Sequence, residues 1–366
     1  MNIILLAHER FVHHEPGGLR AQLAAMDLSR LNFSQRILKD ADLAGATLVG
    51  AMLARIDLER ASLYCADLRL ADLRHANLSF SDMRGCSLRG ANLSCAVLDN
   101  ADLRQATMAG AGTQPFYIAD GGQNGAPGTQ GRNSAVGVDF SNCSMKRASL
   151  NGANLRGVNF NGALLQGAVF KGAKLTDVTF RGAVLTGVNL SELNVAAEAL
   201  EGAITEPSAE ASAHATELKA LLDVHQLWIR TGGREGTPAN LDGEDLRPLQ
   251  SYFAGRHLTA LSARNATAIG VNFSGCKLQG ARFEGADLRE ADFCQADLRA
   301  ASFRSAQLAH ARFANADLRP LILQDGRRHR VDLWETVAQA EQFSGARLDE
   351  GIEELGLGMV PNGARS

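Results

Sequence analysis

Aromatic side chains are scarce, at 5% of 366 residues with two Trp and three Tyr. That excludes the ordinary globule whose core is built from aromatic and branched aliphatic groups. Long hydrophobic runs are also missing: none approaches the roughly 18 residues needed to cross a bilayer, and the stretch Ile3–Ala7 does not have the layout of a signal peptide. Six Cys in a chain of this length make no disulfide framework, so a reducing, cytoplasmic setting is expected. Neither sign of charge dominates. The net charge of −3 disfavours direct binding of nucleic acid or of a membrane surface. Yet 45% of the residues are hydrophobic, many of them Ala, so the chain is not disordered by composition.

What the chain does have is a period of five. From Leu28 to Met108 every fifth residue is apolar, 17 times without a miss. The residue two before each of these centres is usually small, as at Ala41, Ala61, Cys86 and Ala101. Between the two stands Asp or Asn in ten of the 17 units. A second block has 11 centres from Phe140 to Leu190, and a third has ten from Phe273 to Leu318. Degraded units precede the third block at Leu258, Ala263 and Ala268, and Leu333, Phe343 and Leu348 keep its phase afterwards.

A helix requires a period of 3.6 and a strand one of 2. A small and a large apolar residue two apart share one side of a short extended segment, so each unit must turn before the next begins. Coils of such short sides bury little alone and must stack. In the third block Phe and Leu centres alternate strictly from Phe273 to Leu318. Twenty residues per coil then stack Phe273, Phe293 and Phe313 on one side, with Phe283 and Phe303 opposite. Three-sided coils would mix Phe and Leu on every side.

The unit Ala-Asp/Asn-Leu-x-x resembles the motif of the pentapeptide-repeat family. The resemblance implies an all-β solenoid, a right-handed four-sided parallel β-helix with four units per coil. The 38 units then make about nine coils, a rod of about 45 Å if the blocks are collinear. The expected organisation is an N-terminal cap (1–25), block 1 (26–111), a Gly-, Pro- and Gln-rich loop (112–137), block 2 (138–190), a helical insert and lead-in (191–257), block 3 (258–320), and a C-terminal cap and tail (321–366).

Within the insert, Pro207 and Ser208 can start a helix, and Leu218, Leu221, Leu222, His225, Trp228 and Ile229 follow at helical spacing up to Gly232-Gly233. His225-x-x-Trp228 through to Ala239-Asn240-Leu241 looks like the lead-in seen before blocks of this family, where the helix covers the open edge of a coil. His225 is expected to be a packed helix residue. Homodimerisation through the helical or C-terminal segment is a second use for these parts.

No catalytic constellation stands out. His8, His13, His14 and Glu15 have no recognised ligand spacing, no CxxC pair suggests zinc, and Gly125–Gly131 has neither the Lys nor the Ser/Thr of a P-loop. No cofactor, metal or enzymatic activity is expected. Cys86, Cys143 and Cys276 occupy the small inward position and should be inert. The recurrent Asp and Asn should satisfy turn N–H groups. Arg follows many centres, as at Arg69, Arg74, Arg84, Arg104, Arg299 and Arg319, where it forms either a mixed-charge ladder with neighbouring Asp or an anion-binding strip. The apolar cluster Phe116, Tyr117 and Ile118 in the loop is the candidate contact with an unknown protein partner.

The best-known activity implied by the family is protection of DNA gyrase or topoisomerase IV from quinolones by imitation of DNA. Charge argues otherwise. Residues 26–111 carry ten acids and ten bases, residues 138–190 two acids and six bases, and residues 258–319 six acids and eight bases. The acid excess, eleven against four bases, lies in residues 191–247. A duplex carries one negative charge per roughly 1.7 Å, which such blocks do not imitate. The expected function is therefore a non-catalytic protein–protein interaction scaffold. The DNA mimic is the alternative, and a bacterial secreted effector or targeting module is another.

Overall fold

A computed structural model describes residues 2–106, 138–338 and 340–348, apart from the side chains of Ala340 and Glu341. It divides into two compact units, Met1–Glu206 and Pro207–Ser366. Each is a stack of four-sided coils with its own hydrophobic core.

The five-residue unit explains the stack. In the unit Ala41–Gly45, Ala41 and Leu43 point inward and are at most 2% exposed, while Asp42 between them pairs in parallel with Ser62. Leu43 N–H donates to Ser62 O at 2.8 Å, and Ser62 N–H donates to Ala41 O at 3.0 Å. Gly45 then turns the chain at φ 65°, and Ala46 N–H closes the corner on Leu43 O at 3.0 Å. The left-handed corner recurs every five residues, often at non-glycine positions such as Arg60 and Phe80. Asp and Asn side chains accept the N–H two residues on, as in Asn77 Oδ1 with Ser79 N–H at 3.2 Å, which is the expected turn role.

The twenty-residue coil places the Phe ladders as the alternation requires. Phe273–Phe293 and Phe293–Phe313 stack at 5.1 Å between ring centres, and Phe283–Phe303 at 5.4 Å. The two ladders meet edge-on across the core, Phe283 to Phe293 at 5.8 Å.

The pairing settles how the blocks join and moves two boundaries of the sequence reading. Asn92, Val97 and Asp102 pair with Asp139, Ser144 and Ser149, 47 residues on instead of 20. Blocks 1 and 2 are thus one continuous stack, while block 3 lies in the other unit. The interval 191–257 is not one insert. Val184 pairs with Ile204, so residues up to 206 close the first unit; Asn240 and Asp245 pair with Ser262 and Thr267, so the second stack already begins there. These coils escape the five-residue period because short 3-10 turns, Leu190–Glu192, Ala197–Leu200 and Arg247–Leu249, replace regular corners. Finally, residues 331–348 are a further coil rather than a cap: Ser302 pairs with Asp332 and Asp317 with Arg347.

A helix covers the first coil of each unit. Helix α1 (Asn2–Val12) buries Leu5 and His8. Helix α2 (Ala209–Arg230) buries Ala215, Leu218, Leu222 and His225, one stripe at helical spacing. Ser208 caps α2 by accepting Ala211 N–H at 3.0 Å.

Candidate functional site

The apolar cluster Phe116, Tyr117 and Ile118 lies outside the described residues. What the structure does show is the outward surface of both stacks, and its chemistry is set by a local rule. The residue before a centre and the residue after it both face out, so an Asp and an Arg two apart meet on the surface. Arg69 Nη2 lies 2.6 Å from Asp67 Oδ2, and the same pair forms between Arg74 and Asp72 (2.8 Å), Arg84 and Asp82 (2.7 Å), and Arg104 and Asp102 (2.6 Å). The second unit repeats it at Arg299–Asp297 (2.6 Å) and Arg319–Asp317 (2.7 Å). In each, Nε and Nη2 both reach the carboxylate, the planar fork that suits arginine.

These hydrogen bonds from arginine hold the Asp67, Asp82 and Asp317 carboxyls below their ordinary range. The arrangement is the mixed-charge ladder, not an anion-binding strip: the guanidinium groups are engaged by carboxylates of their own unit. Pairs this exposed contribute little to stability. Their effect is to neutralise the positions they occupy in block 1 and in the second unit, whereas residues 138–190 keep four more bases than acids.

The inward residues behave as expected of packing groups. Cys86, Cys143 and Cys276 are buried. Cys143 donates its thiol to Leu93 O at 2.7 Å and Cys276 to Phe253 O at 2.9 Å. Burial pushes the Cys276 thiol up to about 11 and raises the Cys86 and Cys143 thiols well above the ordinary value, which removes the reactive thiolate.

His8 and His225 have a structural role that only the coordinates reveal for His8. Ala21 N–H donates to His8 Nδ1 at 3.0 Å, and Ala239 N–H donates to His225 Nδ1 at 3.0 Å. Both rings are buried beside an aromatic three residues on, Phe11 at 5.7 Å and Trp228 at 5.6 Å between ring centres. The sequence signal for the first cap was present in His8-x-x-Phe11 followed by Gly17-Gly18 and Ala21-Gln22-Leu23, the pattern recognised only at His225. His13, His14 and Glu15 are exposed after α1. Among the described residues no three His, Cys, Asp or Glu side chains are grouped to hold a metal ion, and no helix is long and apolar enough to cross a membrane.

Comparison with known proteins completes this picture. A family model described as "Pentapeptide repeats" matches residues 27–63, 52–90, 71–110, 134–162, 258–295, 269–303 and 281–319. A second model with the same description matches residues 150–193. Together the matches span more than half of the chain. No curated protein matches. Among solved structures, the chain is similar to HetL, a pentapeptide repeat protein involved in heterocyst differentiation regulation in a Nostoc cyanobacterium, at 22% identity over 88% of this chain and 98% of that one, TM-score 0.29. It is also similar to QnrB1, a plasmid-mediated fluoroquinolone resistance protein, at 18% identity over 54% and 97% of the two chains, TM-score 0.17. Rfr23 from the cyanobacterium Cyanothece matches at 18% identity over 56% and 100%, TM-score 0.11.

Proposed function

The chain belongs to the pentapeptide-repeat family, and from that premise we propose that it is a non-catalytic scaffold for protein–protein interaction. In this reading the right-handed four-sided β-helices supply rigid sides, and the insertion at 112–137 carries the contact residues Phe116, Tyr117 and Ile118. The observation that carries the proposal is the pairing of outward Asp with outward Arg. A surface neutralised pair by pair in block 1 and in the second unit suits short-range, shape-based contact with a protein. The six cysteines are free thiols, in keeping with a reducing cytoplasmic compartment.

The competing reading is imitation of DNA toward gyrase or topoisomerase IV. It needs a side presenting uncompensated negative charge at close spacing. Asp67, Asp72, Asp82 and Asp102 are outward acids of block 1, and each is held by an arginine of its own unit.

The two readings separate in a supercoiling assay with purified gyrase and a quinolone. The scaffold reading expects no restoration of supercoiling by the intact protein. It also expects affinity capture to recover a partner that the purified protein then binds, and that a version without residues 112–136 folds but does not bind. Restored supercoiling at low protein concentration would overturn the scaffold in favour of the mimic.

A further inference from the structure

The last regular coil of the first unit, residues 168–187, is closed on its third and fourth sides by the residues that follow. Phe180 N–H donates to Ala199 O at 3.0 Å, Leu185 N–H to Ile204 O at 2.7 Å, and Gly187 N–H to the Glu206 carboxylate at 2.6 Å. The second side, residues 173–177, is paired only with the preceding coil. Lys174 N–H donates to Ala153 O at 2.9 Å, and Leu155 N–H donates to Lys174 O at 2.9 Å. Toward the end of the stack Lys174 has no bridge. Ala173 O, Leu175 N–H and Asp177 N–H have no hydrogen-bond partner among the described residues.

In a regular unit these three groups hold the next coil, as Ala41 O and Leu43 N–H do, and as Gly45 N–H does by donating to Tyr64 O at 2.8 Å. Here the 3-10 turn Leu190–Glu192 takes the chain off the side. Leu193 is buried in the core and Val195 packs against it. A cavity of about 530 Å³ is left between residues 173–177 and 193–196, a volume in the range of ligand sites.

We propose that this side is a docking site for an extended segment of a partner protein, which adds in parallel as the missing strand. The inference rests on the scaffold reading and gives it a second contact, separate from residues 112–137. The unpaired groups set the chemistry, since an open strand edge is a template for another chain. Donors two residues apart on a strand are spaced by about 6 Å. That is too far for the two oxygens of one carboxylate or phosphate, and it matches alternate carbonyls of a second strand. Main-chain pairing then supplies affinity, and side chains at alternate positions supply selectivity. Leu193 already fills that end of the core, so the inward residues of the segment must be small. Lys174 faces outward, is exposed and forms no ion pair among the described residues, which favours an acid opposite it. Asp177, the acid of the same side, is engaged by Arg156 at 3.5 Å.

The test follows the fluorescence anisotropy of a labelled, end-blocked peptide, Ser-Ala-Glu-Ala-Thr-Gly, as the full chain is added. The expected result is a saturable rise with half-saturation below about 1 mM. N-methylation of the peptide's Glu removes the N–H meant for Ala173 O and should weaken binding by about tenfold or more. Lys174→Glu should weaken it by about threefold or more, and a peptide with Lys in place of Glu should recover binding to that variant. Circular dichroism confirms that the variant keeps its fold. The proposal is overturned by the absence of saturable binding, by equal binding of the N-methylated peptide, by an unweakened Lys174→Glu variant, or by failure of the exchanged charges to recover binding. It also falls if the protein alone forms a dimer that Lys174→Glu dissolves, because a second copy then fills the side. If the peptide fails while a partner is still bound through residues 112–136, this site falls and the scaffold reading stands.

Discussion

His225 Nδ1 accepts the backbone N–H of Ala239 at 3.0 Å, fourteen residues further along the chain. Inside the stack the equivalent N–H donates to the carbonyl of the preceding centre, as Ala46 does to Leu43 at 3.0 Å. Ala239 opens its stack and has no preceding centre, so the imidazole supplies the missing acceptor. His8 does the same for Ala21. Both rings must be neutral, with the proton on Nε2.

A pH dependence follows. Burial lowers the pKa of His8 and His225 from the ordinary 6.5, so the unfolded chain binds these protons more readily than the folded one. The stability they contribute is complete above about pH 6.5 and is lost as pH falls from there toward the folded-state values. Thermal unfolding should show a lower midpoint at pH 5 than at pH 7.5. His225→Phe should cost about 1–3 kcal/mol by leaving Ala239 N–H unpaired, and should flatten that part of the pH profile. An unchanged midpoint across the range would show that the ring nitrogen is not the acceptor.

Phenylalanine tests the register sharply, because it occurs in opposite environments. Phe293 touches Phe273, Phe283, Phe303 and Phe313 and is fully buried. Phe80 stands at a corner, 58% exposed with φ 59°. Phe293→Ala should cost about 3–5 kcal/mol, and Phe80→Ala about 0.5 kcal/mol or less in either direction. Denaturant titration of the two variants decides it.

The small inward positions have no spare room. Ala153 and Ala286 are fully buried, so Leu at either should overpack the coil and cost on the order of 1–3 kcal/mol. Gln295 sits at an outward corner, φ 61°, and Leu there should change stability by about 0.5 kcal/mol at most. Equal losses at both kinds of site would mean that inward and outward had been exchanged.

Much of this was legible because the period is written on the inward residues. Ala and Leu two apart cannot both be buried unless the side is short and extended, and the alternation of Phe and Leu counts the sides. Helix α2 was legible from Ser208 and the spacing of Leu218, Leu222 and His225. The parts that escaped are those where pairing ignores sequence distance. The Gly-, Pro- and Gln-rich composition marked the loop between blocks 1 and 2, but that Asn92 reaches Asp139 and the stack continues across it is a matter of pairing, which the period does not encode. The antiparallel hairpin of Leu321–Ile322 and Arg328–His329, which follows Leu318, was hidden likewise. For the outward Arg and Asp the sequence left a ladder and an anion-binding strip both open; the ion pairs decide for the ladder, because two residues apart across a centre is a fixed geometry.

Each unit has its own helix cap and its own core, so each should fold when made alone. Chains ending at Glu206 or starting at Pro207 should give β-type circular dichroism and one cooperative transition each. A unit that is soluble only in the presence of the other would refute this.

The pairing of Asn92 with Asp139 has a consequence for how such proteins change. Closing a loop of 47 residues instead of 20 costs only about 0.8 kcal/mol more in chain entropy. A corner is therefore a port through which new sequence can be threaded while the layers above and below stay in step. Block 1–block 2 and the hairpin after Leu318 are two such ports in one chain. A lineage, or an engineer, can add a recognition element at one corner without redesigning the framework that displays it.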